Sequence, residues 1–123
     1  MKYLILIYRN PESRAIWDGL PADERASGLA AYAKLDDDLA DTGELVVSEA
    51  LADPSLTKRL VVRDGQAITT DGPFAEAKEL LAGFYLVDCD TPERAVEIAW
   101  RVPEAPYGLV EVRPVMSLSD FGL

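Results

Sequence analysis

The stretch from Thr70 to Glu79, TDGPFAEAKE, combines turn-forming residues, a proline, an aromatic ring and four charged side chains within ten residues. Asp71 can act as a carboxylate base if it faces a cleft. Lys78 can hold an anionic substrate group or pair with Glu76, because both side chains project to the same side of an extended segment. Turn capping is the competing interpretation, since Asp-Gly-Pro is favourable turn chemistry. Asp71 is therefore our catalytic candidate, and Glu76 and Lys78 are candidate cleft residues, beside the simpler interpretation of a capped turn.

The last apolar stretch of the chain carries a second set of charges. Glu111 and Arg113 alternate with Val110 and Val112, so the two charged side chains share one face of a strand. Arginine suits carboxylate recognition because its planar fork makes bidentate contacts. Glu49 is a possible third member of this group. We favour an ion-pair network across a dimer over a binding pocket, because buried charges need partners before they can do anything else.

Four further residues could contribute to a site. Trp17 and Tyr32 can wall an aromatic pocket, although core packing is the more common role of such residues. Asp36 falls within the apolar arc of a predicted helix, which is more typical of a helix-edge residue than of a proton carrier. Cys89 has no nearby base in the sequence, so we do not expect it to be a nucleophile.

The length and composition indicate one soluble domain, residues 1–123. The chain has 123 residues, of which 49% are hydrophobic, and this suits a single folded core. No apolar run approaches the roughly 20 residues that span a bilayer, and the opening segment lacks a signal-peptide cleavage site. We therefore expect a cytoplasmic protein that does not bind membranes, and its single cysteine rules out an internal disulfide.

The charge pattern excludes several functional classes. The formal net charge is −10 and the basic residues form no cluster, so nucleic-acid binding is not expected. The chain has no histidine, which rules out Ser-His-Asp and Cys-His catalysis and histidine-ligated metal sites. The sequence contains no phosphate-binding or dinucleotide-binding motif, and we expect neither a metal nor a cofactor. The acidic segment from Asp36 to Asp53 is typical of a solvated face, with a basic partner or a cation as the alternative.

The pattern of apolar residues predicts strands and helices that position these side chains. Helix signals are clearest at Pro21, where a helix should begin and run to about Asp41 before Gly43, and at Thr91, which should cap a second helix. Asp64 and Gly65 predict the turn of a hairpin. The predicted strands cover residues 2–9, 44–51, 82–89 and 109–116, with the hairpin inserted between the second and third.

This order predicts an α+β fold with a ferredoxin-like split βαβ sheet and both helices on one face. Alternating positions of the first strand are apolar on both faces: Leu4, Leu6 and Tyr8 on one, and Tyr3, Ile5 and Ile7 on the other. Two helices cover only one face of such a sheet. A second copy of the chain is the economical cover for the other face, so we expect a homodimer.

The segments DGPFAEAKE, AGFYLVD, ERAVEIAWRVPEA and VEVRPV, with the opening MKYLILIY, resemble the bacterial DGPF-domain proteins, a branch of the YCII-related family. The resemblance implies a dimeric α+β barrel, in which two ferredoxin-like sheets face each other. Related barrels include small isomerases, monooxygenases and decarboxylase-like enzymes that act on compact, often acidic or aromatic substrates. The histidine and aspartate pair proposed for the wider family cannot be carried over, because this chain has no histidine.

Two functional hypotheses follow. The first is a cofactor-free, carboxylate-dependent enzyme of isomerase or lyase type that acts on a small molecule. The second is a non-catalytic ligand-binding or regulatory module associated with a sigma factor. The resemblance suggests the second, because genes of this family often accompany those of extracytoplasmic-function sigma factors.

Overall fold

The computed structural model describes residues 1–74 and 77–123. Its strands and helices are β1 (Lys2–Arg9), α1 (Pro11–Gly19), α2 (Ala22–Thr42), β2 (Leu45–Ala50), β3 (Lys58–Arg63), β4 (Gln66–Asp71), β5 (Leu80–Asp88), α3 (Pro92–Trp100) and β6 (Val110–Pro114). Within these ranges, no helix combines the length and apolar character needed to cross a membrane.

A four-stranded antiparallel sheet forms the centre of the fold, with the strand order β2-β5-β1-β6. The buried residues of β1, such as Ile5, pack with those of β5 and with Leu35 and Leu39 of α2. The stripe of α3 is also buried, with Ile98 only 1% exposed. The predicted ferredoxin-like α+β fold, with its helices on one face of the sheet, is therefore confirmed.

The predicted end of α2 and the predicted start of α3 are confirmed by their caps. Gly43 ends α2 in the left-handed region at φ 80°, which glycine adopts without steric cost. The Thr91 hydroxyl caps α3 by accepting a hydrogen bond from the backbone N–H of Arg94 at 3.1 Å. The end of α2 and the start of α3 therefore lie where local chemistry predicted them, whereas Pro21 is the N-cap of α2 and not its first helical residue.

One helix, α1, was not predicted. Asn10 and Ser13 cap it reciprocally, because the Asn10 side chain accepts from the Ser13 N–H at 2.8 Å and the Ser13 hydroxyl oxygen accepts from the Asn10 N–H at 3.0 Å. Pro11 occupies its first turn, where a missing N–H costs nothing. This helix places Trp17 against Gly28 of α2.

The predicted hairpin is confirmed as a separate two-stranded sheet, β3 with β4. Asp64 and Gly65 have φ values of 51° and 76°, as a two-residue hairpin turn requires. The hairpin carries strongly exposed apolar side chains, of which Leu60 is 81% exposed.

The face of the main sheet turned away from the helices is apolar and half-buried. We call it the open face, and it carries Leu4, Leu6, Val47, Phe84 and Leu86, with Glu111 and Arg113 on the edge strand β6. In the register, Leu6 lies between Phe84 and Glu111. Val110 and Val112 pack against the core on the helix side, so Glu111 and Arg113 face the opposite way.

Candidate functional site

A cavity of about 290 Å³ lies between α2 and the sheet, and we call it the sheet cavity. Its floor includes Gly83, where an added Cβ would stand 2.8 Å from the backbone oxygen of Glu49, so only glycine fits without a shift. Its polar and aromatic lining comprises Arg9, Tyr32, Asp36, Ser48, Glu49, Phe84 and Tyr85. The cavity thus combines a carboxylate from α2 with side chains from three strands.

Asp36 is the most unusual residue of the sheet cavity. Its Oδ1 atom is inaccessible to solvent and has no hydrogen-bond partner among residues 1–74 and 77–123. Burying an acceptor without a hydrogen-bond donor costs free energy, and buried acceptors in folded proteins normally have a donor. Tyr85 lies beside it, and burial, a hydrogen bond with the Asp36 carboxylate and the charge of Asp36 raise the pKa of the Tyr85 hydroxyl. The site therefore holds an acceptor with unused capacity next to a phenol that stays protonated.

Three side chains form a polar group at the edge of the same cavity. The Tyr32 hydroxyl donates a hydrogen bond to Oε2 of Glu104, and Nη2 of Arg9 lies 3.9 Å from Oε1 of the same carboxylate. Burial and the hydrogen bond to Glu104 raise the pKa of Tyr32, so this phenol also stays protonated. The Glu104 side chain is only 16% exposed, and its negative charge is held by these two neighbours.

A second cavity of about 190 Å³ lies between α1, α2 and the segment 103–107, and we call it the helix cavity. Its apolar lining comprises Ile16, Trp17, Leu20, Leu29, Pro103 and the ring of Tyr107. Arg9, Leu29 and Tyr32 line both cavities. The structure thus brings Trp17 and Tyr32, the two residues expected to wall an aromatic pocket, to the same cavity.

The TDGPF segment lies on the hairpin rather than at either cavity. Asp71 is the last residue of β4, its side chain is 79% exposed, and it forms an ion pair with Lys58 on β3. Lys78 is exposed, and Glu76 lies outside the described residues. Asp71 lines neither cavity within this chain, and its role as a base stays a prediction.

The other candidates lie on the open face or in the core. Glu111 and Arg113 lie on the open face, and Glu49 shares this face because it pairs with Phe84, which lies beside Leu6 in the same row as Glu111. Glu49 reaches the sheet cavity through its backbone oxygen, which lies next to Gly83. Burial raises the pKa of the Cys89 thiol, which favours the unreactive protonated form. The register thus keeps Glu49 on the same face of the sheet as the two charged residues with which it was grouped.

The acidic segment is partly neutralised by contacts within the chain. Asp38 accepts hydrogen bonds from Lys34 at 3.3 Å and from Arg101 at 2.5 Å, while Asp37 is exposed. Within residues 1–74 and 77–123, no group of three or more acidic or cysteine side chains is arranged to hold a metal ion.

Three residues of the site were not singled out from the sequence. Arg9 ends β1 two positions after the buried Ile7, and this alternation alone could have placed it on the helix side. On β5, Tyr85 lies two positions before Val87, so the same alternation places both side chains on one face of the sheet. Glu104 comes from an irregular segment after α3, and nothing in its local sequence predicts that it reaches Tyr32.

Comparison with known proteins places the chain in a family whose activity is not established. The sequence matches the family model of the YCII-related domain over residues 1–119. It is also 32% identical over 117 residues to an uncharacterized protein of Rhizobium meliloti (strain 1021), and the match covers 94% of this chain and 92% of that protein. The chain therefore belongs to the family of proteins with a YCII-related domain.

Proposed function

We propose that this protein is a cofactor-free enzyme of isomerase or lyase type that moves a proton on a small carbonyl compound, with Asp36 as the proton carrier. The observation that carries the proposal is the buried and unpartnered Oδ1 of Asp36 on the wall of the sheet cavity. A structural carboxylate would normally be satisfied by a donor, whereas a base must keep a lone pair free for its substrate.

The neighbouring phenol of Tyr85 supplies the complementary function. When Asp36 takes a proton from a carbon next to a carbonyl group, the electron pair of that C–H bond forms a C=C bond. The carbonyl π electrons then move to oxygen, where a protonated tyrosine stabilises the developing charge by donating a hydrogen bond. Tyr85 stays protonated because its pKa is raised, whereas the single O–H of Tyr32 is already donated to Glu104. Asp36 returns the proton to carbon or to oxygen, so an isomerisation needs no co-reactant.

Tautomerisation of phenylpyruvate tests this proposal, since the compound has an enolisable carbon, a carbonyl group and a compact body. We expect the wild-type protein to accelerate the reaction and Asp36→Asn to lower the rate by about 100-fold or more, because general base catalysis contributes roughly 10²–10⁴-fold. Asp71→Asn is the matched control, since it removes a carboxylate that lines neither cavity. A full loss in Asp71→Asn with full activity in Asp36→Asn would transfer the role to Asp71.

We also propose that the protein acts as a homodimer in which two open faces pack together as a dimeric α+β barrel. The half-buried apolar side chains of β1 and β5, such as Leu6 and Phe84, support this, because monomers rarely leave a contiguous apolar sheet face uncovered. Glu111 and Arg113 have opposite charge at the edge of that face, so two copies related by a twofold axis can pair them. The TDGPF segment supports placing the chain in the DGPF branch of the family.

Regulation through a sigma factor stays a prediction. The exposed Asp37 is compatible with contact to a basic surface, whereas Asp38 is already engaged by Lys34 and Arg101. A pull-down that does not change on charge reversal at Asp37 would remove the electrostatic basis of this alternative.

A further inference from the structure

Arg9 has more hydrogen-bonding capacity than its neighbours use. Its guanidinium carries five N–H donors in a planar fork. Within residues 1–74 and 77–123, it donates no side-chain hydrogen bond and forms one ion pair, the 3.9 Å contact with Glu104. Glu104 is in turn held by the direct hydrogen bond from Tyr32. The unused groups where the two cavities meet are therefore the N–H donors of Arg9. A planar acceptor such as a carboxylate fits their geometry.

The helix cavity beside Arg9 is small, and its apolar lining includes an aromatic ring. Arg9 lies in the lining of the helix cavity together with Trp17 and Leu29. Its volume of about 190 Å³ is below the roughly 300–1,000 Å³ of sites for drug-sized ligands, so its occupant is compact. An apolar ring can pack on the indole of Trp17 while a polar group on that ring reaches the guanidinium of Arg9.

We propose that the helix cavity binds the apolar, ring-like body of a small carboxylate and that Arg9 pairs with the carboxylate group. This inference rests on the proposed function, because the ligand is taken to be the carbonyl compound on which Asp36 acts. To that compound it adds two features, a carboxylate group and a ring. Leu29 and Tyr32 line both cavities, so a ligand seated in this way extends from the helix cavity toward Asp36.

Glu104 sets the affinity of this site by competing for Arg9. A bound carboxylate must take over the contact that Glu104 makes at 3.9 Å, and it must tolerate the negative charge of Glu104 nearby. Glu104→Gln keeps an oxygen that accepts from the Tyr32 hydroxyl and removes that charge. We expect this substitution to tighten the binding of a carboxylate by roughly fivefold, the scale of a partly exposed ion pair.

Binding can be measured with benzoate through the fluorescence of Trp17. The chain has two tryptophans, and Trp100 lies on α3 with 65% exposure, so Trp100→Phe gives a background in which Trp17 is the sole reporter. Benzamide and benzylamine serve as the matched neutral and cationic probes. We expect saturable binding of benzoate and binding of benzamide that is weaker by roughly tenfold, as the loss of a charge-assisted contact predicts.

The role of Arg9 is tested against a second arginine of equal exposure. The side chains of Arg9 and Arg14 are both 49% exposed, but Arg14 pairs with Asp53 and does not line the helix cavity. Arg9→Gln should lower benzoate affinity by tenfold or more and Arg14→Gln should leave it unchanged, with melting temperatures confirming that both variants fold. If Arg9→Gln fails to fold, Arg9→Lys keeps the charge without the fork and should still weaken binding severalfold.

The same titrations contain the results that would overturn the inference. Benzylamine binding as tightly as benzoate, an unchanged benzoate affinity in Arg9→Gln or Arg9→Lys, or no saturable benzoate signal in the wild type would each contradict it. Asp36→Asn separates the two proposals, since it should still bind benzoate. If this variant binds benzoate and keeps wild-type turnover, the carboxylate site stands and the catalytic role of Asp36 fails.

Discussion

The charged residues of the two cavities are stabilised to very different degrees. Glu104 receives a hydrogen bond from Tyr32 and an ion pair from Arg9, so its burial is compensated. Asp36, within the apolar arc of α2, has a buried oxygen, Oδ1, without a described partner. An uncompensated polar atom persists in a fold when function requires it, because replacing it would otherwise stabilise the protein.

This contrast predicts that Asp36 lowers stability. Asp36→Leu completes the apolar arc of α2 and removes the unpartnered oxygen, so we expect the free energy of unfolding to rise by about 1–2 kcal/mol while activity is lost. Chemical denaturation measures the change, with Asp37→Leu on the exposed side of the same helix as the control. A loss of stability in Asp36→Leu beyond that of the control would show that Asp36 is a structural residue.

At the scale of single residues, the sequence drew attention to Asp36 but favoured a structural role for it. Asp36 stood out as an acid within an apolar helix face, and a helix-edge role was favoured because most such residues have one. The deciding feature is the lack of a partner for one oxygen atom. It depends on tertiary packing among α2, β2 and β5, which a linear sequence does not specify.

Among the elements, α3 is tied to the junction of α2 and β2 by one strong ion pair. Arg94 donates to Glu44 through Nε at 2.9 Å and through Nη2 at 2.8 Å, a bidentate contact. The Glu44 side chain is only 16% exposed, so solvent screens the contact weakly. The segment from α2 to β2 and the segment from β5 to β6 are therefore joined by a salt bridge as well as by the core.

This pair predicts a pH dependence of stability. The hydrogen bonds from Arg94 hold the pKa of Glu44 below its ordinary value of 4.5. Its contribution to stability is therefore fully present above that ordinary value and is lost as the pH falls through the lowered folded-state pKa. Glu44→Gln should cost about 1–2 kcal/mol at neutral pH, and its difference from the wild type should shrink in acid.

Unfolding measured from neutral to acidic pH tests this prediction. Glu97→Gln is the control, because Glu97 contacts the same guanidinium at 3.1 Å but is 67% exposed and should contribute little. Equal effects of the two substitutions at neutral pH would contradict the account.

The elements that carry complete local signals were predictable, and α1 was not. Asp64-Gly65, Thr91-Pro92 and Gly43 each determine the local backbone by their own chemistry, and each is confirmed. The start of α1 uses Asn10 with Ser13 in place of the usual glutamate, within a segment that is equally typical of a turn. Its stability depends on Trp17 packing against Gly28, a contact between two elements.

The whole molecule has a helix-covered face and an open face, and its net charge of −10 would keep copies apart unless a specific surface joins them. The proposed dimer buries the open face and also covers the strand that carries Phe84 of the sheet cavity. We therefore expect dimerisation to affect the shape of that cavity.

Leu6→Glu tests the proposed dimer. The substitution places a carboxylate at the centre of the open face, so we expect a folded monomer in place of a dimer by light scattering. Val96→Glu is the control, because Val96 is 44% exposed on α3, on the other side of the sheet. A wild-type protein that is monomeric, or a Leu6→Glu variant that remains dimeric, would exclude this interface.

The most direct test of the central claim is the transfer of deuterium from D₂O to the benzylic carbon of phenylpyruvate, followed by proton NMR. The account predicts rapid exchange with the wild-type protein and with Asp71→Asn, and a rate at least about 100-fold lower with Asp36→Asn at an unchanged melting temperature. Exchange that is equally fast with Asp36→Asn, or no faster with the wild-type protein than in buffer alone, would contradict the assignment of Asp36 as the proton carrier.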